Sequence, residues 1–573
     1  MMTMRCFSCL VLTVGIICAQ DFSLSGTDWK IRKAGSESTP PAVTMEDVGW
    51  TDARVPGNIQ SDLEAALQLK PLWYGAGDPR LGEVAKSDWW YRHVFETPAG
   101  IDGKRARLVF DGVDYKCEVW LNGKKLGENA SMFRRFSFDV ADHLVPGGSN
   151  QLDVRVLRIP EEMIEWIEKS DGRMSGYQSP FFFVGGMIKS HEILRDLKSP
   201  TNFSYDWGVN IWTLGIWKDV RLEVGGPAVI EWLKIETPLE NDFTRAKIQV
   251  AALVDSITPA SGKLRLRVHG HGADITAETP FNIQAGDGRV TGGIVLDQPA
   301  LWWPSGHGEQ PLYHLEATLI DGDGRAMHTR MSRFGVREVS WKHTSTAAAD
   351  FPQKYLAVIN GRPIRMIGSN LIPPDLLFAR APDKIPNLFR HARDAGFNTL
   401  RLWGGGIVFP EKVYSLADEL GIMLSFEIPI ANCDPPPNPD FLASIDITIP
   451  NIIRQVWNHP SIIEYTGGNE MGYGGAGDFT TIERIRALFA KEDPSRVFRD
   501  TARLPAGCIV RGFLISILQM CRACCRYIPH GTASPINRCA GVSSAVRRRR
   551  ISKFGIGKFR PPPNGRLIWR IRY

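Results

Sequence analysis

Cysteine is scarce in the body of this 573-residue chain and acid is missing from its end. Of ten cysteines, three fall in the first twenty residues and five after residue 500, leaving Cys117 and Cys433 between them. Two distant cysteines make no disulfide framework, so the body must be held by its own core. Long apolar runs are missing too. Phe7–Ile17 falls short of the roughly 20 residues that span a bilayer, and nothing else up to residue 500 reaches that length. With Arg5 before it and Cys18-Ala19-Gln20 after it, the stretch reads as an export signal over residues 1–20. A secreted or periplasmic protein without a membrane anchor is expected.

After Asp500 there is no Asp or Glu, against 13 Arg and 2 Lys in residues 501–573. The net +6 of the whole chain therefore hides a body of −9, with 53 Lys and Arg against 62 Asp and Glu up to residue 500. A body of that sign argues against a nucleic-acid partner. The tail, with Cys521-Arg-Ala-Cys-Cys-Arg526, Arg547–Arg550 and Pro561-Pro-Pro563, lacks the patterning of the rest and reads as a frameshifted or disordered continuation. Its alternatives are a basic segment for an anionic partner, or a zinc knuckle from Cys521, Cys524, His530 and Cys539. Those spacings match no standard zinc pattern, and no metal or cofactor is expected.

Composition is otherwise that of a soluble globular protein, with 43% hydrophobic and 23% charged residues, and the length implies three or four domains. From Phe22 to about Gly225 short alternating strands dominate, such as Ala106–Asp114, Cys117–Gly123 and Asn150–Leu157, with Asn122-Gly123 as a tight hairpin. This predicts a β-sandwich over 21–225. A second run, including Gly262–Val268 and Pro311–Leu319, predicts a sandwich of immunoglobulin-like size over 226–340. Between 345 and 500 the rhythm becomes strand, helix, strand, helix. Strands are expected at Pro363–Ser369, Phe397–Trp403, Ile422–Ile428 and Ser461–Thr466, and helices at Lys384–Ala395, Pro410–Leu420, Phe441–Trp457 and Thr480–Lys491. Four such units imply a parallel sheet and fit half of an eight-unit TIM barrel, whose C-terminal rim carries the chemistry.

The fourth of these strands ends in Gly467-Gly-Asn-Glu470. One carboxylate beside one amide at an open strand mouth suits glycoside cleavage, in which one carboxyl acts as acid then base and a second, about 5–5.5 Å away, as nucleophile. Glu470 fits the first role, and Asn469 a contact to the sugar 2-hydroxyl. Of the 17 Trp, most are expected in cores and a few as platforms for sugar rings.

Asn469-Glu470, Leu400-Arg-Leu-Trp-Gly-Gly-Gly406, Ile367-Gly-Ser-Asn-Leu-Ile-Pro-Pro374, Leu301–Tyr313, Phe203-Ser-Tyr-Asp-Trp-Gly208 and Gly215-Ile-Trp217 together resemble the β-mannosidase branch of glycoside hydrolase family 2. The resemblance runs from about Phe22 to Asp500. It implies a multidomain β plus α/β protein with a jelly-roll domain, an immunoglobulin-like domain and a catalytic barrel, acting with retention on a terminal β-mannoside or related oligosaccharide. Glu470 takes the acid/base role and Asn469 its sugar-binding neighbour. Asp206 and Trp207 fall on a loop sent over the sugar subsite, Trp403 forms part of its wall, and Asn370 and Glu427, at strand ends, line the pocket. Two positions depart from the family pattern: Tyr205 replaces a usual Trp, and Ser425-Phe-Glu427 replaces Trp-Gln-Asp or Trp-Gln-Glu. Exo-β-glucosaminidases share much of the scaffold, and the other alternative is a non-catalytic carbohydrate-binding protein that keeps the two sandwiches and a decayed barrel. The family takes its nucleophile from the seventh barrel strand, a region that would fall in or beyond the acid-free tail, so no residue here is assigned that role and the chain as written is expected to be inactive. The oligomeric state is not legible.

Overall fold

The computed structural model describes residues 20–41, 49–70, 79–101, 103–161, 164, 197–203, 211–343, 356–431, 438–470 and 480–501. The expected leader up to Ala19, the Asp206-Trp207 loop, Cys433 and the tail from Ala502 lie outside these residues.

The first part is two antiparallel sheets face to face. One holds four strands in the order Gln20–Ser23, Val220–Gly225, Arg105–Phe110 and Phe136–Asp139. The other holds six: Thr51–Val55, Gly26–Lys33, Trp89–Glu96, Ser149–Val156, Lys116–Leu121 and Lys124–Ala130. Gln20, counted with the leader above, pairs with Val224 as the first residue of its strand. Alternation works as expected: Trp29, Tyr91, Val119 and Val154 are fully buried in the core between the sheets. The Asn122-Gly123 turn closes its hairpin with φ of +52° and +78°, the left-handed pair that a two-residue turn needs.

A second sandwich has its own apolar core. Ala228–Glu236, Leu239–Glu240 and Gly286–Asp297 pair with Arg245–Ser256, and the facing sheet runs Ala273–Ile283, Ala260–Gly270, Tyr313–Asp321, Ala326–Phe334. Val339 does not belong to it. Val339–Lys342 pairs instead with Leu356–Ile359, which pairs with Arg362–Ile364 in a small antiparallel sheet. The strand expected at Pro363–Ser369 is thus two elements, since Arg362–Ile364 joins this hairpin and a separate strand, Gly368–Leu371, opens the next sheet.

That sheet is wholly parallel, in the order Gly368–Leu371, Thr399–Leu402, Met423–Glu427, Ile462–Thr466, Val497–Arg499. The fifth strand exceeds the four expected. Val497-Phe-Arg499 is too short and too polar at its end to announce itself. Helices Ala381–Asp394, Glu411–Leu420, Pro439–Val456 and Thr480–Glu492 connect the strands. The register separates the two faces. Leu371, Leu402, Phe426, Tyr465 and Phe498 form one row across all five strands, while Asn370, Arg401, Ser425, Glu464 and Val497 form the next. Parallel sheets normally bury apolar residues on both faces. The row with Asn370, Arg401, Ser425 and Glu464 departs from that pattern.

The three parts are tied together by directed bonds. Trp457 Nε1 donates to the Leu233 carbonyl at 2.8 Å, Trp302 Nε1 to the Asp418 carbonyl at 2.8 Å, and Arg134 Nε to Thr448 Oγ1 at 2.6 Å. At the junction of the two sandwiches, buried Glu223 faces Arg107, Arg135, Arg221 and Arg330 at 3.7, 3.0, 2.8 and 3.4 Å.

Candidate active site

The site is built at the C-terminal ends of the parallel strands. Arg401, third residue of the second strand, sits beside Asn370 of the first in register. Its guanidinium is the hub. Nε and Nη2 donate to the two oxygens of Glu427 at 2.7 and 2.8 Å, Nη2 also to Asn469 Oδ1 at 2.7 Å, and Nη1 to Asn370 Oδ1 at 3.2 Å. A planar fork of fixed donors suits this task, because it holds a carboxylate through two bonds and still reaches neighbours on both sides.

Glu427 closes the third strand and is 3% exposed. Besides Arg401 it accepts a 2.7 Å bond from the Gly404 N–H. Burial pushes its carboxyl above the ordinary range. Arg401 and the Gly404 N–H oppose that shift without cancelling it, and nearby Glu464 adds to it. Glu464 is itself paired with Arg499 of the fifth strand at 2.7 Å. Glu427 and Glu464 are thus each matched by an arginine from a flanking strand.

Asn469 and Glu470 follow the fourth strand. The Asn469 N–H donates to the Ile430 carbonyl at 2.9 Å, which extends the parallel pairing just past the strand ends. Its side chain is buried against Arg401, whereas Glu470 is half-buried and has a φ of +50°. A non-glycine residue in that region carries backbone strain of order 1–3 kcal/mol, and such residues cluster at functional sites. Trp403, half-buried after the second strand, lies against its own turn. A β-carbon at Gly405 would fall 1.9 Å from the Trp403 ring, so the run Gly404-Gly-Gly406 is what lets the indole fold back.

Of the residues singled out from sequence, Asn370, Glu427 and Asn469 are thus brought together, with Glu470 adjoining and Trp403 on the turn that holds Glu427. Asn370 lies one residue inside its strand, not at its end. Asp206 and Trp207 are outside the described residues. Arg401 was missed as a site residue. Its signal was present: a charge between leucines in Thr399-Leu-Arg-Leu402, an otherwise apolar strand.

Residues 29–218 match the galactose-binding domain-like model of glycosyl hydrolase 2, and residues 228–337 match the model of glycosyl hydrolases family 2. The chain is a member of glycosyl hydrolase family 2, a family of glycosidases. Within it, the resemblance is to β-mannosidases. A β-mannosidase of Mus musculus is 27% identical over 84% of this chain and 55% of its own length, and β-mannosidase B of Aspergillus terreus is 30% identical over 78% and 50%. The solved β-D-mannosidase of Dictyoglomus thermophilum superposes with a TM-score of 0.70 at 26% identity, covering 84% of this chain and 57% of that one. An exo-chitosanase from Amycolatopsis orientalis, 18% identical, shares the fold with a TM-score of 0.65 over 84% of this chain and 53% of its own. The chain spans about half the length of the curated relatives it matches.

Proposed function

We propose that this chain carries the acid/base half of a retaining exo-glycosidase for terminal β-D-mannosyl residues. One observation carries the reading: a single arginine, Arg401, gathers Asn370, Glu427 and Asn469 beside Glu470 at the mouth of a parallel sheet. In this reading Glu470 protonates the departing oxygen and then activates water, and Asn469 holds the sugar 2-hydroxyl, a contact that strengthens in the transition state. Arg401 fixes Asn469 Oδ1 toward itself and so sets which end of the amide meets the sugar. Trp403 walls the subsite, Asn370 and Glu427 line it, and Asp206 and Trp207 are assigned as further sugar-binding residues by the resemblance to the family. The β-mannosidase relatives support mannose over other sugars.

The same reading assigns residues 21–225 to a jelly roll, 226–340 to an immunoglobulin-like sandwich, 345–500 to the first part of a (β/α)8 barrel, and residues 1–20 to an export signal. Among the described residues no helix is long and apolar enough to cross a membrane. With no carboxylate after Asp500, none of the 573 residues is assigned as nucleophile. We expect the chain to bind β-mannosides and not to turn them over, since losing one member of a catalytic pair costs orders of magnitude in rate. Aryl β-mannoside hydrolysis measured beside calorimetric binding of mannobiose tests this. Turnover that survives Glu470→Gln defeats the assignment of Glu470, and turnover lost with it defeats the expectation of inactivity. Preference for glucosamine-configured ligands would move the reading to the exo-glucosaminidase branch, and failure to bind either sugar would end it.

A further inference from the structure

The glycine turn that holds Glu427 is itself held from another domain. Gly405 and Gly406 lie in the turn beyond the second parallel strand, and both of their carbonyls are taken by residues next to the first sandwich. Thr201 donates to the Gly405 carbonyl twice, from its N–H at 3.0 Å and from its hydroxyl. Ser199 Oγ donates to the Gly406 carbonyl at 2.8 Å. These two residues hang from a knot with no access to water. Lys198 Nζ is paired with Asp114 and donates to the Thr213 carbonyl at 2.7 Å. Thr213 Oγ1 meets Asp114 Oδ2 at 2.5 Å and Asn202 Oδ1 at 3.1 Å, and Asn202 Nδ2 donates to the Ile211 carbonyl at 2.9 Å. Asp114, Asn202 and Thr213 are 0% exposed and Lys198 is 2% exposed.

Placing an ion pair in such a position is costly, because desolvation of both charges opposes their attraction. An apolar pair of similar volume would hold two packed surfaces together at least as well. What the ion pair adds is direction: three chain segments, at Asp114, Lys198–Asn202 and Ile211–Thr213, are fixed by bonds that tolerate little displacement.

We propose that Ser199 and Thr201, braced by the Asp114–Lys198 knot, are positioning residues for the rim: they hold the Trp403–Gly406 turn so that the Gly404 N–H stays on the Glu427 carboxylate. The role of that turn in a sugar subsite rests on the function proposed above, but the clamp does not. The first sandwich is then a structural part of the rim and not an appended module.

The test is amide hydrogen exchange on the full chain carrying Thr201→Val with Ser199→Ala, which removes both hydroxyl donors and leaves the knot and the Thr201 N–H in place. Exchange at residues 404–406 is expected to rise about tenfold or more while strand Arg105–Phe110 keeps its protection, and Thr201→Ser in place of Thr201→Val restores the turn. Unchanged exchange at 404–406 overturns the proposal. A uniform rise through the first sandwich does so too, since it would make the contact ordinary domain packing. Calorimetric binding of 1-deoxymannojirimycin, a mannose-configured iminosugar, is the second arm. Wild-type binding weakened about tenfold in the double variant extends the clamp to the subsite. Absence of wild-type binding counts against the functional reading alone, because the exchange result stands without a sugar.

Discussion

Two buried glutamates, one at the junction of the sandwiches and one at the rim, are held in opposite ways. Glu223 faces four arginines and is kept well below the usual carboxylate range, the attraction of Arg135, Arg330, Arg221 and Arg107 outweighing its desolvation. Glu427 has one arginine and one backbone N–H, and its burial wins. Both are 3% exposed, so burial alone does not explain the difference. The number of converging cations does. The first arrangement is a permanent anion that locks domains together. The second is a carboxylate whose burial favours its neutral form, with Arg401 divided among Glu427, Asn469 and Asn370.

Glu223→Leu removes the anion that four guanidinium groups share and should cost about 3–5 kcal/mol in chemical denaturation, as for other broken buried ion networks. A loss below about 1 kcal/mol would show that the arginines find other partners and that the junction is not held by this residue.

Acid should reach the same junction through His328, whose Nδ1 accepts a 3.2 Å bond from the Ile230 N–H and is therefore unprotonated. Burial, helped by Arg330, pushes its pKa down to about 3. The unfolded chain takes a proton near pH 6.5 and the folded one does not, so stability falls with acid between these values, by up to about 1.4 kcal/mol per unit from this group. Glu223 has the same sign at lower pH, since its depressed pKa gives stability that disappears as pH falls below about 4.5. Glu427 has the opposite sign in a different window: its raised pKa makes ionisation a cost that grows as pH rises above about 4.5. Denaturation curves from pH 7 to 4 should show a slope that His328→Asn reduces, and an unchanged slope in that variant would remove His328 from the account.

A smaller effect is expected at the rim. Arg401→Met strands Glu427, which can answer by taking up a proton, so the penalty should be about 2–3 kcal/mol at pH 7 and shrink toward pH 5. A penalty independent of pH would mean that lost packing, not charge, is responsible. Smallest of all, Asn370→Ala deletes one 3.2 Å bond at an exposed residue and should change stability by less than about 0.5 kcal/mol. A change of more than 1 kcal/mol would show that Asn370 orients the Arg401 fork.

Much of this was legible in the residues. Alternation in Cys117–Gly123 and Asn150–Leu157 announced strands because a half-buried sheet demands a period of two, and Asn122-Gly123 announced the turn between them because few residues accept two left-handed positions. The helices following Lys384, Pro410, Phe441 and Thr480 were readable from apolar spacing. Pro363–Ser369 misled because the parallel sheet and the preceding hairpin both use short apolar strands, and only pairing partners tell them apart. Arg401 was hidden for a related reason: its role depends on the register that sets it beside Asn370 and below Asn469, residues 31 and 68 positions away.

By itself the sequence determined the order of two antiparallel sandwiches and a parallel sheet, the place of Asn469-Glu470 at a strand mouth, and the absence of acid after Asp500. These are local matters, written in periodicity, turn chemistry and composition. Tertiary structure alone decided that one arginine holds Asn370, Glu427 and Asn469, that four arginines converge on Glu223, and that Ser199 and Thr201 grip the glycine turn of another domain. Each depends on segments far apart in the chain meeting with hydrogen-bond geometry, and no local pattern records such a meeting.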